Sequence, residues 1–282
     1  MTEDPIDACL AGHISPEIAL ARLLLGGHTA ASIATALAAQ RPTPDTSAYK
    51  TLAAHLAIRA PALDRLAAEI IATVADHSAL GPDGIARIAR FFDHAVSHSP
   101  EASVALYSLG DPAILAAATE EITTWLAAYT PVTGDILDLG CGIGRLATAL
   151  APAARSYLGL DVSPRMIAEA RRRTAHLPRT HVLHTQGHAL ATPRAAFDLV
   201  LAIDSFPYIL EAGAAPAHLA AIATALRPGG ALAILNLSYH RTLATDQADI
   251  AAWSTQHHLT PTINGTHPFT LWDAPAFLLT KP

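Results

Sequence analysis

Apolar residues follow two different spacings along this chain. In the first part, segments 18–25, 47–59 and 61–77 carry Leu, Ile and Ala at helical spacing and are separated by Gly and Pro. In the second part, short apolar runs alternate with longer helical stretches, an order typical of βαβ units around a parallel sheet. The pattern predicts an all-helical segment at residues 1–100 and an α/β domain at residues 101–282.

Seven short apolar runs in the second part have strand character. The run 197–204 is apolar nearly throughout, as expected for a parallel strand buried on both faces. The last two runs follow a helix near 243–257 and can form an antiparallel pair. The predicted strands are 134–139, 156–161, 180–185, 197–204, 231–237, 259–265 and 276–281.

Three glycines at alternate positions, Gly140, Gly142 and Gly144, follow the first predicted strand and precede a helical stretch. Glycine takes backbone conformations that are closed to other residues, and it has no Cβ to hold a ligand away from the chain. The pattern therefore predicts a strand, a tight turn and a helix, with a ligand lying against the turn.

The spacing of these glycines argues against a dinucleotide. The dinucleotide fingerprint is G-x-G-x-x-G, and here Arg145 stands where its third glycine belongs. Asp138 would repel a pyrophosphate but attract a cation. The pattern D-x-G-x-G-x-G resembles motif I of the class I S-adenosylmethionine (SAM)-dependent methyltransferases, and SAM carries both an ammonium and a sulfonium.

The second strand ends in a carboxylate, Asp161, which lies 17 residues beyond Gly144. An acid at the carboxyl end of this strand is placed to accept the ribose hydroxyls of a nucleoside. In the family that the chain resembles, the corner G-x-D-x-S-x-x-M holds the ribose and packs its Met against adenine. Met166 occupies that position here, and a purely structural place in the core is the alternative.

Two further motifs resemble the second half of the same family, F-D-L-V at 197–200 and L-R-P-G-G at 226–230. All the resembling motifs lie within 136–238. The resemblance implies an α/β fold with a doubly wound, mostly parallel seven-stranded sheet and an N-terminal all-helical cap. It also implies SAM as the cofactor and a small molecule as the methyl acceptor.

The resemblance implies a set of cofactor-binding residues around the carboxyl ends of the strands. Family members often place an acid near positions 188 and 189 for the adenine amino group, and this chain has His and Ala there. Backbone groups or packing would then hold the adenine. The expected set is Tyr107, Asp138, Gly140, Cys141, Gly142, Gly144, Asp161, Val162, Met166, His188, Ala189, Asp204 and Ser205.

Polar residues that the sheet edge can present to an acceptor are the catalytic candidates. These are Asp204, Tyr208 and His240, with Tyr239 beside them. The run 204–208 partly resembles the D/N-P-P-Y motif of amino-methylating enzymes, but it has one extra residue and only one of the two prolines. It does not identify the acceptor.

The helical segment 1–100 is larger than a class I core needs. We expect it to lie over the carboxyl edge of the sheet and to form the acceptor pocket with the loop 204–208, using Phe91, Phe92 or Tyr107. A dimerisation surface is the alternative use of its Ala- and Leu-rich helices.

Composition excludes several partners. The chain is 51% hydrophobic and 15% charged, which is enough apolar material for a substantial core. A net charge of −6 argues against nucleic acid, and no apolar run is long enough for a membrane span. An acidic N-terminus and only two cysteines favour the cytoplasm.

His94 and His98 share a helix face, but no third ligand follows, so no metal is expected. The protein is expected to act as a monomer or homodimer.

The sequence thus favours a methyltransferase whose acceptor atom, N, O, S or C, is undetermined. Three alternatives remain. SAM could serve a non-methylating reaction such as cyclisation, which would release methylthioadenosine. The chain could be a regulatory module that binds SAM without turnover. A nicotinamide-dependent oxidoreductase is disfavoured by Asp138 and Arg145.

Overall fold

A computed structural model of the chain describes residues 4–39, 47–74 and 84–282. Residues 41–45, whose two prolines predict a loop, lie outside these ranges. Within them, the chain divides into two compact units, which we call the helical unit and the sheet unit. The helical unit comprises the described parts of Met1–Ser78 with His98–Ala118 and Phe269–Asp273, and the sheet unit comprises the described part of Ala79–Ser97 with Thr119–Pro268 and Ala274–Pro282.

The helices alternate with the strands only in the second half of the chain, as the sequence predicts. A short 3-10 turn at Leu106–Ser108 precedes the long helix that leads into the sheet. The helices are α1 Pro5–Leu10, α2 Pro16–Leu25, α3 Ala30–Ala39, α4 Ser47–Val74, α5 Gly84–His98, α6 Pro100–Val104, α7 Pro112–Tyr129, α8 Arg145–Leu150, α9 Pro164–Thr174, α10 Phe206–Glu211, α11 Ala215–Ala225 and α12 Leu243–His257.

The start of α2 follows the expected rule. Ser15 caps it by accepting a hydrogen bond from the Ile18 N–H at 3.3 Å, and Pro16 occupies the first turn. Helix α4 differs from expectation, because it runs unbroken through Pro61 where two helices were predicted. Its buried residues keep helical spacing on both sides of the proline, so one packed face continues across it. These residues are Leu52, Leu56, Leu63 and Leu66.

The sheet unit contains a seven-stranded sheet in the order β3-β2-β1-β4-β5-β7-β6. The first five strands of the chain are parallel, and β7 runs antiparallel to both of its neighbours. The predicted fold class is therefore confirmed. The strands are β1 Asp135–Leu139, β2 Ser156–Asp161, β3 Thr180–His184, β4 Phe197–Ile203, β5 Leu226–Leu235, β6 Thr260–Thr266 and β7 Ala276–Thr280.

The order of the strands fixes where a ligand can bind. Strands β2 and β3 extend to one side of β1, whereas β4 pairs on its other side, so the direction of winding reverses between β1 and β4. In open α/β sheets the crevice at such a reversal, at the carboxyl ends of the strands, is the usual ligand site. The turn of three glycines leaves β1 at this point.

A charged cluster joins the opposite, amino ends of β1 and β4. Asp198 accepts hydrogen bonds from the Asp135 N–H at 2.7 Å and from Arg227 at 2.7 Å. Asp135 also accepts from Arg155 and from the Ser156 hydroxyl. The cluster ties the starts of the two central strands together, far along the strands from the glycine turn.

Within the three described ranges, no single helix is long and apolar enough to cross a membrane. The adjacent helices α2 and α3 meet the length and hydropathy requirements only as a pair, which is bent by 118° at its break.

Candidate cofactor site

The glycine turn is attached to the end of β2 by its backbone. All three glycines, Gly140, Gly142 and Gly144, have positive φ, at 75°, 53° and 78°, a conformation that favours glycine. The N–H groups of Gly140 and Cys141 both donate to the Leu160 carbonyl, at 2.8 and 3.0 Å. Two adjacent amides on one acceptor hold the turn in a fixed position beside the second strand.

Asp161 occupies the junction between the turn and the second strand. Its Oδ2 accepts from the Gly142 N–H at 2.9 Å, and its Oδ1 accepts from the Ser163 N–H at 2.8 Å. The residue is only 8% exposed, and burial raises its pKa despite these hydrogen bonds. Because each carboxylate oxygen has two acceptor sites, these two N–H bonds leave acceptor capacity on both oxygens for further donors.

The corner after β2 is closed by a helix cap. Ser163 is fully buried, and its hydroxyl oxygen accepts from the Met166 N–H at 3.0 Å at the start of α9. The Met166 side chain is also buried, and Val162 is half-buried. A Cβ placed on Gly187 would lie 2.7 Å from Val162 and 3.0 Å from Ile85 of α5, so these three residues meet beside the corner.

Asp138 lies inside the sheet unit at 1% exposure. The hydroxyl of Tyr157, on the neighbouring strand β2, donates to its Oδ2 at 2.6 Å. Burial raises the pKa of Asp138 to about 7, although the Tyr157 hydrogen bond and the charge of Arg145 act in the opposite direction. The carboxyl is therefore poised to change its charge near neutral pH.

Cys141 is buried within the turn, where burial raises the pKa of its thiol. A Cβ on Gly159 would lie 2.9 Å from the Cys141 sulfur, so the thiol fills the space that this strand glycine leaves. Cys141 thus packs the turn onto β2 as a small apolar side chain.

The end of β4 also lies against the glycine turn. The hydroxyl of Ser205 donates to the Leu139 carbonyl at 2.5 Å. A Cβ on Gly140 would lie 2.4 Å from the Ser205 Cβ, so only glycine fits there. The structure therefore brings Gly140 and Ser205, two of the predicted cofactor-binding residues, together at the crevice between β1 and β4.

Asp204 and Asn236 follow neighbouring strands, β4 and β5, and are hydrogen bonded to each other. The Asn236 amide donates to Asp204 Oδ1 at 2.8 Å. Both residues have positive φ, at 58° and 64°, a conformation that Asp and Asn adopt more readily than most other non-glycine residues. Asn236 was not predicted as a site residue from the sequence. Its position directly after a buried apolar strand could have indicated it.

Two tyrosines extend this pair. The Tyr239 hydroxyl donates to Asp204 Oδ1 at 3.0 Å, and its oxygen lies 3.2 Å from the Tyr208 hydroxyl oxygen. The two rings meet edge to face with centroids 5.4 Å apart. Desolvation of the hydroxyl groups and the charge of Asp204 raise the pKa of both phenols, although Tyr239 as a whole residue is 41% exposed. Both phenols therefore stay protonated at neutral pH and act as hydrogen-bond donors.

The remaining predicted residues lie in different surroundings. His240 is exposed, with Nε2 4.0 Å from the Glu211 carboxylate. His188 and Ala189 are exposed in the segment after β3. Tyr107 belongs to the helical unit, where its ring stacks on Trp272 with centroids 5.6 Å apart. Their roles toward a ligand stay predictions.

Helix α5 adds Asp93, which the sequence did not single out as a site group, and Phe92, which it named as a candidate for the acceptor pocket. Asp93 Oδ1 accepts from the Ser163 hydroxyl at 2.6 Å and from the Arg165 N–H at 2.9 Å. Phe92 meets Tyr208 edge to face with ring centroids 5.2 Å apart. Residues 84–97 belong to the sheet unit. Across the described ranges, no group of three His, Cys, Asp or Glu side chains is placed to hold a metal ion.

Comparison with known proteins agrees with this geometry. Residues 136–230 match a protein family described as a methyltransferase domain. Residues 136–230 therefore belong to a methyltransferase domain, and the sheet has the class I methyltransferase fold. The sheet also superposes on the magnesium protoporphyrin IX methyltransferase of Synechocystis PCC 6803, with a TM-score of 0.53 and 17% identity, over 71% of this chain and 98% of that one. The family and the fold that the motifs predicted are thereby confirmed.

Two curated relatives align with this chain over 133 and 126 residues. An O-methyltransferase of Pyrenophora dematioidea is 37% identical over 126 residues, or 43% of this chain and 46% of the relative. The SAM-dependent Diels-Alderase iccD of Talaromyces variabilis is 28% identical over 133 residues, or 45% of this chain and 44% of the relative. The chain thus spans less than half the length of each.

Proposed function

We propose that this methyltransferase domain binds SAM and transfers its methyl group to a small-molecule acceptor. The main support for the proposal is that Asp161 links the glycine turn after β1 to the corner after β2. It accepts hydrogen bonds from the N–H groups of both Gly142 and Ser163. This arrangement offers open backbone from the turn and a buried carboxylate with acceptor sites to spare, which suits a ribose with two neighbouring hydroxyls.

Each end of the cofactor has a matching group in the chain. Asp161 would accept the ribose hydroxyls, and Asp138 would supply negative charge toward the ammonium. Gly140 lets the backbone approach closely beside Ser205. SAM, when bound, supplies an electrophilic methyl on its sulfonium. The chain's own task is to hold an acceptor atom in line with that methyl, because positioning provides much of the rate of such displacements.

Asp204 is our candidate for orienting the acceptor. Asn236 and Tyr239 both donate to its Oδ1, so the carboxylate is fixed in place. An acceptor that must lose a proton can pass it to this carboxylate, since the raised pKa values of Tyr208 and Tyr239 make the phenols donors and not bases.

A non-methylating use of SAM is the second candidate. The neutral phenols of Tyr208 and Tyr239, with Phe92 against Tyr208, can donate hydrogen bonds to a carbonyl group and so activate a substrate for cycloaddition. The similarity to a SAM-dependent Diels-Alderase supports this candidate. The products separate the possibilities, because methylation yields S-adenosylhomocysteine, cyclisation of SAM yields methylthioadenosine, and a SAM-dependent pericyclic enzyme or regulatory module leaves SAM intact.

Titration calorimetry with SAM, S-adenosylhomocysteine and NAD tests the proposal. We expect the first two to bind and NAD to give no heat of binding, because Asp138 and the glycine spacing oppose a pyrophosphate. Labelled SAM incubated with a panel of small phenols, amines, thiols and carboxylic acids should then yield S-adenosylhomocysteine. Tight NAD binding without any response to SAM would overturn the assignment.

SAM affinity should also depend on pH through Asp138. The carboxyl is protonated below its pKa of about 7, and a bound ammonium favours the ionised form, so binding at low pH must release a proton. Affinity is therefore expected to fall as the pH drops below about 7, approaching tenfold per pH unit, and to level off above it.

Calorimetry in two buffers of different ionisation enthalpy measures that proton release. Asp138→Asn is the control, with weaker binding and no step near pH 7. If SAM binding to the wild-type protein releases no proton below pH 7, the proposed role of Asp138 is wrong.

The charge and thiols of the chain support a cytoplasmic setting for this activity. The net charge is −6, and both cysteines, Cys9 and Cys141, are buried and unpaired by disulfides. We propose that the protein acts there as a monomer or homodimer on a small molecule, without nucleic-acid or membrane partners. Within the sheet unit, the contact of Phe92 with Tyr208 supports an acceptor-side role for residues 84–97 of the predicted cap.

A further inference from the structure

Within the sheet unit, helix α5 contacts the loops on two sides of the glycine turn. Asp93 contacts the corner that follows β2, and Phe92 contacts Tyr208, which follows β4. Because β1 lies between β2 and β4, these two contacts place this part of α5 across the carboxyl end of β1. The turn that would hold the cofactor begins there.

The contact at Ile85 fixes the other end of the same helix. Ile85 lies beside Val162 and Gly187, which follow β2 and β3. It precedes Asp93 by eight residues, a separation of about 12 Å along a helix. Helix α5 is therefore held from Ile85 to Asp93 against the loops that follow β2, β3 and β4.

A continuous chain of hydrogen bonds connects Asp93 to the glycine turn. Asp93 accepts from the Ser163 hydroxyl, the Ser163 N–H donates to Asp161, and Asp161 in turn accepts from the Gly142 N–H. Every link is 2.9 Å or shorter. The carboxylate of Asp93 also faces the N-terminal end of α9, where negative charge is favoured by the helix dipole.

From this geometry we infer that Asp93 is a positioning residue for the cofactor, acting through Ser163 and Asp161. Its hydrogen bonds hold α5 closed over the turn and hold the corner in the shape that accepts the ribose. The inference rests on the proposed SAM site. It implies that cofactor exchange requires α5 to separate from Ser163, so that Asp93 controls the rate at which SAM leaves.

Asp93→Ala tests this inference through the rate of SAM dissociation, measured by chasing bound labelled SAM with excess unlabelled SAM. We expect dissociation to become roughly tenfold faster, because two hydrogen bonds to a charged acceptor are lost. Hydrogen exchange of residues 84–97 should slow on SAM binding in the wild type and slow much less in the variant.

Two further variants separate positioning from simple support of the fold. Both hydrogen bonds end on the single oxygen Oδ1, which Asn also provides, so Asp93→Asn should restore most of the slow dissociation. Glu169→Ala is the matched control on α9, because this carboxylate pairs with Arg172 and Arg173 of the same helix. It should leave the dissociation rate unchanged.

A double-mutant cycle identifies the partner. If Asp93 acts through Ser163, then Asp93→Ala should add little to the dissociation rate of Ser163→Ala. Additive effects, or an Asp93→Ala protein that is less stable but releases SAM at the wild-type rate, would overturn the inference while leaving the proposed function intact. A wild-type protein that fails to bind SAM would overturn both.

Discussion

Replacing Asp161 with Ala is expected to weaken SAM binding by about 2 to 4 kcal/mol, which is roughly 30- to 700-fold. The ribose hydroxyls would lose a charged acceptor inside a buried corner. The change also removes the acceptor of the Gly142 and Ser163 N–H groups, so the turn itself loses its attachment to the corner. Calorimetry with SAM and S-adenosylhomocysteine measures the loss.

Two control variants distinguish the loss of ribose contacts from general unfolding. Asp161→Asn keeps one acceptor oxygen and should cost less than Asp161→Ala. Asp198→Ala removes a carboxylate with several hydrogen bonds at the amino ends of the strands, so it should lower the free energy of unfolding but leave SAM affinity unchanged. Unchanged SAM affinity in a folded Asp161→Ala protein would show that the ribose assignment is wrong.

The sequence predicted the sheet because its signals are local. Each parallel strand is a short apolar run, and the glycines that follow β1 do adopt the positive φ values that their spacing demands. The start of β5 was less predictable. It begins at Leu226, five residues before the apolar run at Ala231, because Leu226 pairs with Phe197 and the pairing then resumes at Ala231 opposite Leu199, after an irregularity in register.

Residues joined across long sequence separations were harder to identify. Asp93 bonds to Ser163 across 70 residues, and Asn236 bonds to Asp204 across 32. Nothing in the spacing along the chain indicates either pair, since each depends on how helices and loops converge on the carboxyl edge. His240 was predicted as a site residue from its position after a strand. Its side chain is exposed, and its role stays a prediction.

The grouping of α5 also depends on tertiary contacts. Its sequence is continuous with the helical segment 1–100, and the sequence therefore predicts a boundary near residue 100. In the structure, residues 84–97 group with the sheet unit, held by Asp93 and Phe92. The predicted domain boundary near residue 100 stays a prediction. The Asp93 experiments test whether residues 84–97 act together with the cofactor site.

Replacing Asp204 with Ala is expected to lower turnover by roughly 100- to 1,000-fold while SAM affinity changes little. The carboxylate is the acceptor for Asn236 and Tyr239, so its loss removes the group that would orient the acceptor molecule or take its proton. The measurement is single-turnover methyl transfer from labelled SAM, using the acceptor found in the small-molecule panel, alongside calorimetry with SAM.

Matched substitutions at the same position separate the possible causes of that loss. Asp204 has a φ of 58°, so Ala introduces backbone strain that Gly does not, and equal losses in Asp204→Ala and Asp204→Gly would exclude strain as the cause.

Asp204→Asn keeps an oxygen for Asn236 and Tyr239 but is a far weaker base. An acceptor that must lose a proton should react slowly in Asp204→Asn, whereas one that is already nucleophilic should react at nearly the wild-type rate. Full turnover in both Asp204→Ala and Asp204→Gly would show that the carboxylate takes no part in the reaction.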